Sequence, residues 1–498
     1  MDFLDPRKFR KQKIRLMVGY VLIAIAIGLG TIILVYGAYG YGINTRTGDI
    51  VQNGLLFVDS QPGGASIYLN NKSINQTTSA RLVLPAKAYD LKITKTGYRD
   101  WERKFTLDEH TISRYVYPFL FPNKPVTQPL KSYPANPPLL LESPDRHWLL
   151  VQNPDSSKAF SFDEFDANDY TKPALVLSLP ATIITKPVST LGTLTEVEWS
   201  TDNNHVLLRH DFDGGNEYIM MDRNDPTKSI NINKTLNINP TEVALRNKKA
   251  DQLYIYMQDG GTLQIADMNK LALQDPLIKN IAAFKSYSDN YISYVTTANM
   301  PTGKAQARIW NNGHTYPLYA FNTGDKYLLD IASYSGHLYF AAGSSTDGRV
   351  NIYKDPLGDI QSSDVGRATP MIALRATGAN KIGFSDNARF IEIEGGQNFG
   401  VYDFETNNEY QYALQAPLST PLDWMDGHRL IGQSNGNVFV MDYDSINQQT
   451  LVPTTTPLGG LFSRDYKQMY TLAPVAGSTN VSLERVDMRA GTDLPKSP

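Results

Sequence analysis

The segment SPDRHWLLV, at residues 143–151, begins a phrase that recurs through the rest of the chain. Each copy contains a turn with Ser or Asp, an apolar strand, a polar turn and a second strand that often ends in Asp. The other clear copies are WSTDNNHVLL at 199–208, FSDNARFIEI at 384–393 and FSRDYKQMYTL at 462–472. Four degenerate copies centre on 253–257, 291–295, 338–341 and 424–431. Repetition of this kind indicates an array of similar structural units.

The spacing of the copies predicts an all-β fold. They recur at roughly 38 to 57 residues, around the 40 to 45 residues of a four-stranded propeller blade. Eight copies therefore predict a β-propeller over residues 139–498, with eight blades, or seven if the loosely spaced first two copies share loop material. Ser and Asp suit the tight turns because their short side chains hydrogen-bond the local backbone. The repeats resemble those of TolB-like and quinoprotein-like propellers, and this resemblance is one of repeat pattern.

No charged side chain occurs between Leu16 and Thr45, whereas six cations precede this stretch. About twenty apolar residues in a helix cross a ~30 Å hydrocarbon core. A transmembrane helix is therefore predicted at 16–42, in contact with the lipid bilayer, after a basic cytoplasmic segment at 1–15. The positive-inside rule then places the rest of the chain outside the cytoplasm. A cleaved secretory signal is the alternative. The apolar region of such signals is shorter than the one in this chain, and tyrosines interrupt the best candidate cleavage site, at 36–41.

Between residues 50 and 120, short apolar alternations are separated by turn residues, which predicts a compact antiparallel β-sandwich. The segments SQPGGA, IYL, LPAKAY and TGY, at 60–65, 67–69, 84–89 and 96–98, resemble the signature of the PEGA domain. Gly63 replaces the glutamate of that signature, and 86–88 lacks its glycine. The resemblance implies a small non-catalytic β-module, usual on exported bacterial and archaeal proteins, and it implies no ligand.

Seven prolines occur between residues 118 and 138. Proline lacks a backbone donor and is excluded from helix interiors and central strands. A stiff, extended linker is therefore predicted at 121–138, between the sandwich and the propeller.

Composition excludes several classes of function. The chain of 498 residues has a formal net charge of −3, and no basic field on the exported part would attract nucleic acid. It contains no cysteine, which excludes disulfides, thiol nucleophiles and cysteine-ligated metals. We therefore expect no nucleic-acid partner.

Three patterns that could carry chemistry have structural interpretations. GQSNG at 432–436 fits the Gly-x-Ser-x-Gly nucleophile elbow, but a strand follows it where a helix is needed, so a hairpin turn is predicted. DFDGGN at 211–216 does not complete the ligand spacing of a calcium loop. The same holds for the acidic cluster Asp163, Glu164, Asp166 and Asp169. A polar hairpin or an exposed loop is predicted for both.

The seven histidines show no zinc-binding spacing. His147, His205 and His428 each precede a strand of the repeat. This equivalence predicts a repeated, solvent-facing position rather than a shared metal.

These patterns predict no catalytic residue, no metal ligand, no cofactor and no enzyme activity. The preferred hypothesis is a membrane-tethered extracytoplasmic binding or scaffold protein of the bacterial cell envelope, which recognises an envelope protein or glycan through propeller loops. The alternative is an envelope hydrolase, a glycosidase whose carboxylates converge on the propeller channel from separate blades. The sequence does not define the oligomeric state.

Overall fold

The computed structural model describes residues 6–38, 41–43, 50–155, 160–185, 192–362, 367–415, 418 and 420–493. The described residues form two compact units: those up to 124 together with 489–493, and those between 125 and 488. Residues 1–5 of the predicted basic segment and residues 39–40 of the predicted transmembrane helix lie outside the described residues.

The first unit begins with helix α1, Pro6–Ala38. Its part from Lys13 to Gly37 is long and apolar enough to cross a membrane. Large apolar side chains are exposed all along it, with Leu34 as much as 75% exposed. A helix that is apolar on every side suits an apolar solvent, so α1 has the properties of a membrane anchor.

A β-sandwich follows α1 in the same unit. Its strands are β1 (Tyr41–Ile43), β2 (Ile50–Val58), β3 (Ser66–Leu69), β4 (Lys72–Thr77), β5 (Ala80–Pro85), β6 (Lys87–Thr94), β7 (Trp101–Leu107) and β8 (Ile112–Tyr115). One sheet has the order β1-β2-β5 with β8 parallel to β2, and the other has the order β4-β3-β6-β7. The two sheets bury Leu56, Ile67 and Trp101. The predicted sandwich is confirmed.

Residues after the last strand of the chain also belong to this unit. Tyr98 Oη donates to Asp493 at 3.0 Å and accepts from the backbone N–H of Ala490 at 2.8 Å. Lys95 Nζ lies 2.9 Å from Asp493 Oδ2. The prediction that the propeller extends to residue 498 is therefore corrected, because residues 489–493 pack on the sandwich.

The second unit consists of short antiparallel sheets. It begins with β9 (Val126–Tyr133). Sheets 1 to 4 contain β10 (Leu140–Glu142), β11 (Trp148–Gln152), β12 (Ser161–Asp166), β13 (Leu175–Ser178); β14 (Thr193–Trp199), β15 (His205–Phe212), β16 (Gly215–Asp222), β17 (Ile230–Asn231); β18 (Glu242–Leu245), β19 (Gln252–Met257), β20 (Thr262–Asp267), β21 (Ala272–Leu273), β22 (Ile278–Lys279); and β23 (Ala283–Tyr287), β24 (Tyr291–Thr296), β25 (Lys304–Asn311), β26 (His314–Asn322). A short helix, α2 (Ile232–Leu236), follows β17.

Sheets 5 to 8 contain β27 (Tyr327–Tyr334), β28 (His337–Ser344), β29 (Arg349–Lys354), β30 (Ile372–Arg375); β31 (Lys381–Phe384), β32 (Phe390–Gly395), β33 (Asn398–Asp403), β34 (Asn408–Ala413); β35 (Asp423–Trp424), β36 (Arg429–Ser434), β37 (Asn437–Asp442), β38 (Gln449–Pro453); and β39 (Leu461–Phe462), β40 (Gln468–Pro474), β41 (Val481–Asp487) with β9. A second short helix, α3 (Pro356–Ser362), lies between β29 and β30.

The sheets are the blades of a closed propeller. The first strands of neighbouring sheets contact one another, as β14 does with β18 and β27 with β31, so each blade has its first strand nearest the axis. Apolar clusters join consecutive blades, and one cluster joins Leu483 of blade 8 to Leu149 of blade 1. The described residues thus form eight blades, the larger of the two predicted numbers.

The ring is closed by the segment that was predicted to be a linker. Strand β9 pairs antiparallel with β41, from Val126 opposite Asp487 to Tyr133 opposite Val481. The linker prediction at 121–138 is therefore corrected for these residues. Pro129 is accommodated because β9 is the outermost strand and its register shifts at that residue, and edge strands and bulges tolerate proline.

The serines of the repeat hold the turn between the first and second strands. Ser143 Oγ accepts a hydrogen bond of 2.9 Å from the backbone N–H of Trp148. Ser200, Ser385 and Ser463 accept the equivalent bonds at 3.0 to 3.2 Å. All four serines are buried, so their role is structural, as predicted.

Candidate functional site

The first strands bring charged side chains to the propeller axis. Seven of the eight described first strands carry at least one, namely Glu142, Glu196 and Glu198, Glu242, Lys285, Asp330, Lys381 and Asp423. Only β39 carries none. Six carboxyl groups and two lysines therefore come from these strands, so the channel wall is predominantly acidic.

A cavity of about 610 Å³ opens between the first strands of blades 2 to 5. Lys285 Nζ lies 3.6 Å from Asp330 Oδ1, and Glu198 pairs with Lys248. The cavity is also lined by Phe284, Ser286, Tyr287 and Asn247. It thus offers charges of both signs, hydroxyl groups and aromatic rings.

Three acids of the channel, Glu142, Glu196 and Glu242, titrate near neutral pH, and burial raises the pKa of Glu142 to about 8. Glu242 and Glu196 contact channel solvent, yet the surrounding protein removes much of their hydration. This burial raises the pKa of each to about 7. Glu198 adds to the rise at both, Asp423 of blade 7 adds to it at Glu196, and lysines oppose it. Near pH 7 the wall can both donate and accept protons in hydrogen bonds.

Arg146 reaches across the channel mouth on the side opposite this cavity. Its Nη2 lies 3.3 Å from Asp386 of blade 6 and donates to the carbonyl of Met425 of blade 7 at 3.1 Å. Its guanidinium lies 4.7 Å from the ring centre of Tyr466 in blade 8. A second cavity, of about 390 Å³, borders these groups. Four blades therefore share one cation at the mouth.

A buried charge cluster lies between blades 6 and 7. Lys381 Nζ donates to Asp423 Oδ1 at 2.6 Å and lies 3.7 Å from Glu392 Oε1. Glu392 is fully buried. Burial raises the pKa of Glu392 to about 8, with Lys381 opposing the rise and Glu394 adding to it. Lys381 of the channel wall is therefore shared between Asp423, on the first strand of blade 7, and the buried Glu392 on β32.

Two histidines of the repeat contact a carboxylate of their own blade. His147 Nε2 lies 3.0 Å from Asp166, and His205 Nε2 lies 4.0 Å from Asp222, at the end of the third strand of each blade. His428 is half-buried, and burial lowers its pKa to about 3. The prediction of a solvent-facing position is therefore corrected to a half-buried one.

The acidic cluster is only partly a loop. Asp163 and Glu164 lie within β12 and are buried, where Lys131 and Arg223 pair with them at 2.8 and 2.7 Å. The prediction of an exposed loop is thus wrong for these two residues, because ion pairs with distant residues compensate their burial. Within the described ranges, no group of three or more His, Asp or Glu side chains is arranged to hold a metal ion.

The other two motifs are hairpins. Ser434 pairs with Asn437 across the turn that follows β36, and Phe212 pairs with Gly215 across the turn at 213–214. Both hairpin predictions are confirmed. The channel charges were missed in the sequence because each first strand contributes only one or two of them.

Comparison with known proteins identifies one domain. The PEGA domain model matches residues 53–117, which contain β3 to β8 and most of β2. Among solved structures, the chain is similar to an oligogalacturonate lyase in complex with manganese, with 12% identity and a TM-score of 0.39, over 74% of this chain and 98% of the other. No curated protein matches the chain.

Proposed function

We propose that this chain is a membrane-tethered extracytoplasmic binding or scaffold protein of the bacterial cell envelope. In this proposal α1 anchors the chain, its basic N-terminus faces the cytoplasm, and the propeller recognises an envelope protein or glycan at the charged channel mouth. A PEGA domain and a propeller fit an extracytoplasmic binding or scaffold role.

One observation supports the mouth as the binding surface: the first strands of seven blades carry charged residues, and four of these residues, Glu198, Glu242, Lys285 and Asp330, line the cavity. The excess of carboxyl groups favours a ligand that presents positive charges or hydrogen-bond donors. Tyr287 supplies an aromatic surface at the same cavity, and tyrosine is frequent in recognition surfaces. Tethering to the membrane raises the effective concentration for an envelope ligand.

Photo-crosslinking in intact cells tests this proposal. A benzoylphenylalanine at Tyr287 should form an adduct with an envelope protein or glycan, and the double substitution Glu198→Gln with Glu242→Gln should weaken it. The same probe at Lys270, an exposed position in the turn after β20, is the matched control. Equal labelling at positions 287 and 270 would contradict recognition at the mouth.

A glycosidase is the second candidate, because carboxyl groups from several blades line the channel. A glycosidase needs one carboxylic acid that stays protonated near neutral pH and a second, ionised carboxylate. Glu242→Gln should then abolish hydrolysis of an envelope glycan by the purified chain while leaving its binding intact. Unchanged glycan after incubation with the unsubstituted protein would exclude this candidate.

A further inference from the structure

The two outer faces of the sandwich differ in chemistry. On the sheet of β6 and β7, outward residues carry both signs of charge, and Lys92 Nζ pairs with Glu102 at 2.9 Å. On the sheet of β2, β5 and β8, Leu55 lies opposite both Val83 and Ile112. Val83 and Ile112 are 63% and 55% exposed. The second face therefore presents an apolar row to solvent.

A cationic row lies beside the apolar one. Phe57 lies opposite both Arg81 and Arg114, and the Arg114 guanidinium is 5.1 Å from the centre of the Phe57 ring. The outward positions within these three strands carry no carboxylate, whereas Asp59 directly follows β2 and Asp108 and Glu109 lie in the turn before β8. The face thus combines apolar and cationic groups, as membrane-surface segments do.

The anchor keeps this face close to the membrane. Helix α1 ends at Ala38 and β1 begins at Tyr41, a gap that spans at most about 11 Å. Strand β1 pairs with the start of β2, with Gly42 opposite Val51. Leu55 follows Val51 by four residues, or about 13 Å of strand. The apolar row therefore lies within a few tens of ångströms of the helix end.

We propose that this face lies on the outer surface of an anionic phospholipid bilayer. Leu55, Val83 and Ile112 then enter the boundary between headgroups and acyl chains, and Arg81 and Arg114 bind headgroup phosphates. This inference rests on the membrane anchor of the proposed function and is independent of the ligand of the propeller.

Site-directed spin labelling of the full chain tests the proposal, since the chain has no native cysteine. Val83→Cys and Ile112→Cys are compared with Ala88→Cys, an exposed position on the other outer face. Each protein is placed as a single copy in a nanodisc of phosphatidylcholine with or without phosphatidylglycerol. In the anionic discs, labels at 83 and 112 should collide more with oxygen and less with an aqueous nickel chelate than the label at 88.

The arginines supply a second readout. The spectrum of each label at 83 or 112 is separated into a membrane-bound and an aqueous component. Arg81→Gln and Arg114→Gln should each lower the ratio of the membrane-bound to the aqueous component by about fivefold in anionic discs. Neither substitution should change this ratio in neutral discs. Unchanged ratios in the anionic discs would contradict the role of the cations.

Two results would overturn the proposal. One is aqueous accessibility at 83 and 112 equal to that at 88 in the anionic discs. The other comes from the same labelled proteins in vesicles that hold many copies. If the labels are protected from the nickel chelate only there, and spin–spin coupling appears at position 83, the face is covered by a second copy of the chain. A label at Leu22 in α1 tests the anchor separately, because an aqueous Leu22 would contradict the proposed function itself.

Discussion

The buried pair of His210 and Glu217 allows a quantitative prediction. Both side chains are almost completely buried in blade 2, and His210 Nδ1 lies 2.8 Å from Glu217 Oε1. The carboxylate also accepts from the backbone N–H of Thr185 at 3.0 Å and from Asn231 Nδ2 at 2.6 Å. His210, Thr185 and Asn231 can each donate a hydrogen bond to the carboxylate. In Glu217→Gln the amide NH2 group, itself a donor, would replace one of the accepting oxygens.

The pKa of Glu217 gives the magnitude. Burial alone would raise it, but the hydrogen bonds from His210, Thr185 and Asn231 outweigh burial and lower it from 4.5 to about 2. At 1.36 kcal/mol per pKa unit, the ionised group contributes about 3 kcal/mol to the free energy of unfolding at pH 7. Because the folded pKa lies below the unfolded one, this contribution is complete above about pH 5 and declines as the pH falls towards 2.

Hydrogen exchange measured by mass spectrometry on the full chain in detergent tests this reasoning. At pH 7, amides of β15 and β16 should exchange about a hundredfold faster in Glu217→Gln than in the unsubstituted protein. The difference should shrink to about tenfold near pH 3. Glu409→Gln, at an exposed position on β34 of blade 6, is the control and should leave both strands unchanged. Equal exchange of the two proteins at pH 7, or a ratio that does not fall with pH, would refute the stabilising role of the Glu217 carboxylate.

Three other predictions follow from packing, titration and topology. Leu483→Ala at the closure of the ring should lower the free energy of unfolding by about 3 kcal/mol, whereas Leu271→Ala, at a half-exposed site, should change it by less than about 0.5 kcal/mol; equal urea midpoints would contradict this. Because the pKa of Glu392 is raised to about 8, the folded state holds its proton more tightly, and stability should fall as the pH rises from about 5 to 8. Glu392→Gln should flatten that decline in urea titrations, and an unchanged slope would count against it. Lys270→Cys should react with an impermeant maleimide added outside intact cells; labelling only after lysis would reverse the proposed orientation.

The propeller could be predicted from sequence because its turns repeat. Ser143 and its equivalents mark the start of the second strand in four blades. The other four blades were predicted from the spacing of the degenerate copies of the repeat. The closing strand could not be predicted, because its partner β41 lies at the far end of the sequence. Pro129 also argues against a strand unless the strand is known to be outermost.

The candidate site was less predictable than the fold. Glu196 and Asp423 influence one another across the channel although they stand in blades 2 and 7, and no local pattern connects them. Likewise, the burial of Asp163 depends on Lys131, which comes from β9. Short-range periodicity reports which face of a strand is apolar, but it does not report which strands meet.

The pairing of β9 with β41 also determines when the propeller ring can close during synthesis. Lys131 of β9 and its neighbour Ser482 in β41 are 351 residues apart in the sequence. At about 5 to 20 residues per second, the ribosome delivers that partner tens of seconds after β9 has emerged. Throughout this interval β9 is a nascent strand without its partner, and Pro129 and Lys131 are residues of the kind that keep such a strand from pairing with another chain.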